Sequence, residues 1–150
     1  LQYHPKIDIL VNNAGVVYPG LLKDLDDEKI IETIDVNVKA ILLLTKKLIP
    51  YINKTGTIIN ISSGLGKFGA ANHVAYCASK FAVIGLTEAL AKELHDIDVI
   101  AICPGSTNTD MIKQNYPDID ATFLDPPEKV AKKVLEAING RFRTGSAVDV

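Results

Sequence analysis

Three short runs limit what this chain can fold into. Ile7 to Asn12 (IDILVN), Thr57 to Ile61 (TIINI) and Asp98 to Cys103 (DVIAIC) are mostly apolar, rich in β-branched residues and without polar–apolar alternation. A strand with one face in water alternates; a run that does not alternate needs cover on both faces, the condition of a parallel sheet held between helices. The intervening segments supply those helices. Asp26-Asp27-Glu28 is an acidic first turn suited to the positive end of a helix, and the apolar residues after it predict one helix from 27 to about 52. A second is predicted from 74 to 94, and a third from Asp125-Pro126-Pro127-Glu128 to a stop at Asn139-Gly140, ahead of a last strand at 146 to 150. Residues 106 to 125 read as irregular. Alternating strands and helices predict an α/β fold with right-handed crossovers, and 150 residues with no internal repeat or low-complexity linker predict one domain, 1–150.

Ligands of such sheets bind beyond the carboxyl ends of the strands. Three corners fall there: Asn13-Ala14-Gly15, Ser62-Ser63-Gly64 and Pro104-Gly105. Asparagine tolerates unusual backbone angles and Gly15 lets a ligand approach the main chain, so the first corner is a plain turn or a binding edge. Tyr76 and Lys80 are four residues apart at the start of a helix, hence one turn apart on one face. A neighbouring ammonium favours a phenolate and is expected to hold Tyr76 below the usual phenol value of about 10. A hydroxyl at Ser63 can hydrogen-bond a carbonyl oxygen as charge develops on it. The three together suit proton transfer to a carbonyl, although Tyr-x-x-x-Lys alone also arises by accident. A hydrolase with Ser63 as nucleophile is disfavoured, since a G-x-S-x-G elbow and a paired histidine are missing. Taken singly, Asn37 reads as a solvent-facing polar residue within the 27–52 helix, and His73 as a surface-loop histidine outside the chemistry.

Ser63, twelve intervening residues, Tyr76, three more and Lys80 resemble the active site of the short-chain dehydrogenase/reductases. Asn12-Asn13-Ala14-Gly15, Asn37, and Pro104-Gly105 with Thr109 match the same family in order and spacing, from about Ile7 onward. The resemblance implies the carboxyl-terminal portion of a doubly wound Rossmann fold and an NAD or NADP cofactor. It implies hydride transfer between an alcohol and a carbonyl through a Ser63-Tyr76-Lys80-Asn37 tetrad. Asn37 would then sit at a local break in its helix that holds a water linked to Lys80. Asn13, Ala14 and Gly15 would lie along the adenosine side of the cofactor. Tyr76 and Lys80 would meet the nicotinamide ribose, and Pro104, Gly105, the Thr107 backbone and the Thr109 hydroxyl the nicotinamide end. Thr107 stands where the family more often has an aliphatic residue. The glycine-rich phosphate-binding turn of the first strand–helix unit does not occur in this sequence. About 70 to 80 further residues, two and a half strand–helix units of about 30 each, would precede Leu1 in a complete member, so the chain is expected to be a fragment.

Net charge of −2 with scattered basic residues gives no footprint for nucleic acid or an anionic membrane. The unbroken apolar runs, such as Ala40 to Leu44, are too short to span a bilayer, and a cytoplasmic setting is expected. Cys77 and Cys103 lie in apolar segments without metal-ligand spacing, so buried free thiols are expected and no metal. The predicted helices at 27–52 and 74–94 carry more apolar surface than one sheet covers, which predicts a homodimer or homotetramer through them. Val17, Tyr18, Phe68, Met111, Tyr116 and Phe123 are candidate walls of a partly apolar pocket for a small carbonyl or alcohol substrate. The competing reading is a catalytically inactive dimerisation module derived from such an enzyme.

Overall fold

The structure, a computed structural model, describes residues 6 to 150; Leu1 lies outside the described residues. Among the described residues four strands form one parallel sheet in the order β1 (Ile7–Asn12), β2 (Ile52–Ile61), β3 (Asp98–Cys103) and β4 (Ala147–Asp149). The β1–β2 crossover holds α1 (Asp27–Ile34), a π-helical turn at Asp35–Lys39 and α2 (Ala40–Leu48). The β2–β3 crossover is α3 (Val74–Glu93), and the β3–β4 crossover holds α4 (Asp110–Asn115) and α5 (Pro127–Ile138). This is the expected α/β, doubly wound architecture.

The central strands show why the apolar runs do not alternate. Ile59, Ile100 and Ile102 point to one face, where Ala137, Val134 and Ile138 of α5 pack on them. Ile58 and Val99 point to the other, against Leu90 and Ala91 of α3. Neighbouring residues thus feed two separate cores, and a polar side chain at either parity would be buried. The exception is a chain of amides and hydroxyls. Asn12 Nδ2 donates to Thr45 Oγ1 (3.2 Å) and to Asn60 Oδ1 (2.8 Å). Asn60 Nδ2 donates to Thr87 Oγ1 (2.9 Å), and that hydroxyl donates to the carbonyl of Val83 (2.8 Å). The series joins α2, β1, β2 and α3, and fixes the β1–β2 register at Asn12 opposite Asn60.

Several boundaries differ from expectation. The helix predicted to reach residue 52 ends at Leu48, and a short turn at Ile49–Tyr51 leads into β2, which begins at Ile52 rather than Thr57. Pro50 cannot continue the helical ladder, and Ile52 is drawn into the core with Ile58 and Val99. The extra strand length is taken up by a register shift between Ile7 and Ile9. Gly56 permits it: a Cβ there would lie 2.6 Å from Ile52 Cγ2 and 2.9 Å from the Asn53 carbonyl. Within the segment read as irregular, α4 forms because Thr109 caps it and Asp110 opens its first turn. The last strand is shorter than expected, three residues.

The span reading also needs correction. Among the described residues α3 is long and apolar enough, at 20 residues and mean hydropathy 1.3, to meet the length and composition of a membrane span. Counting only unbroken apolar runs missed it, since small and hydroxyl residues interrupt the run without lowering the average. Its buried side nevertheless carries Ser79, Lys80 and Thr87, each hydrogen-bonded to the fold.

Asn60→Ala should lower the unfolding free energy by about 2–4 kcal/mol, because it opens a cavity and orphans the Asn12 and Thr87 partners. Urea unfolding measures this, and a loss below about 0.5 kcal/mol would show that the amide series contributes little.

Candidate active site

At the end of β2 the chain turns under α3. The Ser62 hydroxyl donates to the Lys80 carbonyl (2.9 Å), the Ser62 N–H to the Ile102 carbonyl and the Gly64 N–H to the Pro104 carbonyl (both 2.8 Å). Gly66 closes the turn with no side chain: a Cβ there would sit 2.6 Å from Ser62 Oγ and 2.7 Å from the Lys80 carbonyl oxygen. Ser63 is thereby held in extended backbone, and its Oγ accepts from the Leu65 N–H at 3.1 Å. The turn that carries Ser63 and the helix that carries Tyr76 and Lys80 meet backbone to backbone.

Tyr76 and Lys80 are stacked as the spacing predicted, with Lys80 Nζ 5.6 Å from the centre of the Tyr76 ring. Lys80 is 4% exposed, and its ammonium donates to the Ile61 carbonyl at 2.9 Å. Burial lowers its pKa to about 8. The expectation that Lys80 would depress the Tyr76 pKa is corrected here. Burial of the phenol is the larger effect and raises its pKa above the ordinary value, while the nearby Ser63 hydroxyl pulls it down.

Asn37 is fully buried, not solvent-facing. It sits in the π-helical turn, the local break that the resemblance implied. Its Oδ1 accepts from the Val16 N–H (2.8 Å), and its Nδ2 donates to the Val16 carbonyl (2.9 Å) and to Ser79 Oγ (3.0 Å). Ser79 Oγ in turn donates to the Tyr76 carbonyl at 2.7 Å. Gly15 lies beside both groups: a Cβ on it would stand 3.4 Å from Asn37 Oδ1 and 3.5 Å from Lys80 Nζ. Asn13 and Ala14 are exposed at the carboxyl end of β1.

Ser63, Tyr76, Pro104 and Gly105 border one cavity of about 350 Å³. Val17, Phe68, Met111 and Tyr116 line it as expected. Tyr18 does not, since its hydroxyl donates to Glu32 at 2.8 Å, and Phe123 is 81% exposed and also outside it. His73, assigned from sequence to a surface loop, is in the wall. Ile112 and Ile119 were missed; their spacing of four and three about Tyr116 was the available signal. Thr107 forms an isolated parallel bridge with Asp125. The Thr109 hydroxyl donates to the Thr107 carbonyl (3.3 Å) and accepts from the Ile112 N–H (3.5 Å), so it caps α4 through two long bonds. Cys77 and Cys103 are buried free thiols. No cluster of three His, Cys, Asp or Glu side chains suits a metal among the described residues.

The strand ends, the crossovers and this cavity define a doubly wound α/β protein with its polar groups gathered at the carboxyl edge of the sheet. The short chain dehydrogenase profile matches residues 1–120, and the chain belongs to that family. It is 36% identical over 147 residues to the 3-oxoacyl-(acyl-carrier-protein) reductase FabG of Thermotoga maritima, covering 90% of this chain and 60% of that protein. A short chain dehydrogenase of Escherichia coli CFT073, solved with NADPH, superposes with a TM-score of 0.90 at 32% identity, over 99% of this chain and 64% of that one. The 3-ketoacyl-(acyl-carrier-protein) reductase of Brucella melitensis, solved with NADH, gives 0.84 at 32% identity, over 97% and 66%. The chain thus spans less than two thirds of the length of these relatives.

Because the folded pKa of Lys80 lies below its ordinary 10.5, burial of the charged amine costs stability in full below about pH 8, and the cost fades as pH rises to 10.5. The Lys80 Cε resonance should titrate with a midpoint near about 8 and vanish in Lys80→Arg. A midpoint at the ordinary value would contradict the dry environment described.

Proposed function

We propose that this chain forms the catalytic portion of an NAD(P)-dependent oxidoreductase that interconverts an alcohol and a carbonyl by hydride transfer. One observation carries the reading: Ser63 and Tyr76 open into the same cavity with a buried lysine one turn below the phenol. Ser63 orients and polarises the carbonyl. Tyr76 gives its proton to the developing alkoxide in reduction and takes it back in oxidation. A phenol whose pKa is raised by burial is fully protonated at neutral pH, which suits the acid role. Lys80, charged below about pH 8, stabilises the phenolate left behind and supplies protons to it. Asn37 supports that relay by tying Val16 to Ser79 and so holding the floor of the site.

The residues fit a dinucleotide. The cleft that a Cβ on Gly15 would fill lies beside Lys80 Nζ, an ammonium with three protons and one protein acceptor among the described residues. Tyr76 and Lys80 would hold the nicotinamide ribose, Asn13, Ala14 and Gly15 the adenosine side, and Pro104, Gly105, Thr107 and Thr109 the carboxamide end. Bound there, the nicotinamide supplies or accepts the hydride. Either NAD or NADP is compatible, since related structures hold NADPH or NADH. Acyl-carrier-protein-linked 3-ketoacyl groups are what two relatives are named for, and the mainly apolar cavity suits a carbonyl with an aliphatic arm. The setting is cytoplasmic.

A second reading rests on the outer faces of α1, α2 and α3, where Ile31, Leu42, Leu43, Leu44 and Phe81 are exposed. These faces suit a homodimer or homotetramer, and a chain that dimerises without binding cofactor would be a docking module rather than an enzyme. Fluorescence titration with NADPH and NADH, together with light scattering, separates the two: dimers without binding favour the module.

In the protein that carries this chain, Tyr76→Phe should cut turnover about 10²–10⁴-fold while cofactor affinity stays within about threefold. Unchanged turnover would remove Tyr76 from the chemistry. Carbonyl reduction should be level at low pH and fall as pH rises through about 8, where Lys80 loses its charge. A steady-state pH profile measures it.

A further inference from the structure

His73 is held at both ring nitrogens. Nδ1 lies 2.7 Å from the Ala71 carbonyl oxygen, and Nε2 is hydrogen-bonded to the Tyr116 hydroxyl. The two rings lie nearly parallel, 20° apart with centroids at 6.1 Å, and both border the cavity that Ser63 and Tyr76 open into. The two residues come from different parts of the chain, His73 from the amino-terminal cap of α3 and Tyr116 from the end of α4.

A carbonyl oxygen can only accept, so Nδ1 carries the ring proton. In the neutral imidazole Nε2 is then a lone pair, and it takes the Tyr116 O–H. With its one proton committed, the Tyr116 oxygen faces the cavity as an acceptor only. Tyr116 and Tyr76 border the same cavity. Among the apolar side chains of Val17, Leu65, Met111 and Ile119 that line the same cavity, the Tyr116 oxygen is a polar mark beside the reacting carbonyl. Resting on the carbonyl-reducing reading above, we infer that the His73–Tyr116 pair is a specificity device: it selects carbonyl substrates that carry a hydrogen-bond donor, an amide N–H or a hydroxyl, on the arm next to the reacting carbon. A substrate with an ether or ester oxygen at that place meets a lone pair with a lone pair, and the half-buried tyrosine oxygen gains no donor from it.

Three matched ketones test this: N-ethylacetoacetamide, which offers an N–H; N-ethyl-N-methylacetoacetamide, which keeps the amide carbonyl without it; and ethyl acetoacetate. Dissociation constants come from NMR shifts of the His73 and Tyr116 ring protons with NADPH present, so turnover is not needed. The secondary amide should bind about tenfold more tightly than either other ketone. Tyr116→Phe, which keeps the ring and the wall, should bring all three within about twofold. His73→Phe releases the Tyr116 proton, so the preference should collapse while ester binding improves; His73 makes no side-chain cap to α3, and the helix is expected to persist. Equal binding of the three ketones, no binding of any, or a preference that survives Tyr116→Phe overturns the inference. Tyr76→Phe should keep the preference; were that variant fully active, the catalytic reading would fall while the selectivity stood.

Discussion

The site depends on one contact, the seating of α3 on the turn after β2. The Ser62 hydroxyl reaches the Lys80 carbonyl, and the bare Gly66 lets the two backbones approach to a distance that any side chain would prevent. A carbonyl in the first turns of a helix is ordinarily bonded within it, so a second, tertiary donor fixes the rotation of the helix as well as its distance. That rotation decides where Tyr76 and Lys80 point. The same turn sets Ser63, so the three side chains take their relative positions from a few atoms of main chain rather than from long, adaptable side chains.

Around this contact the sheet uses its two faces for different purposes. The core on the α5 side is apolar, while the α3 side mixes Ile58 and Val99 with the amides of Asn12 and Asn60. A fully apolar core tolerates sliding of one strand against its neighbour, whereas paired amides have one arrangement that satisfies them. Position along the strand matters most at the end where β1, β2 and β3 deliver their corners to a common edge, and there Asn12 and Asn60 stand.

Much of this was legible in the chain because it is local or periodic. The strand runs at 7–12 and 98–103 follow from unbroken apolar, β-branched composition, and the start of α3 and the stacking of Tyr76 on Lys80 from the helical period of 3.6. What escaped was set by partners distant in sequence. The end of α2 was misread because Ile52 looks like any apolar helix residue until its strand pairing with Ile7 is known. Asn37 is polar and mid-helix, and only Val16 and Ser79, twenty-one and forty-two residues away, explain its burial. His73 reads from sequence as a surface-loop residue because its partner is forty-three residues downstream. The phenol's proton affinity was misjudged for another reason: spacing gives the presence of an ammonium but not the dryness around the ring, and here dryness is the stronger influence.

The π-turn at Asp35–Lys39 carries one residue more than a regular helical turn would. Each residue of an α-helix advances the azimuth by about 100°, so everything after the turn is rotated by about that much against what α1 would have projected. This explains why the apolar residues of 27–48 are smeared around the cylinder when plotted as a single rod: they belong to two phases of winding. It also means that loss of a single codon in this stretch would mend the helix by ordinary standards while swinging Asn37 away from Val16. Here regular geometry and a working site are incompatible, and the irregularity is the feature the fold preserves.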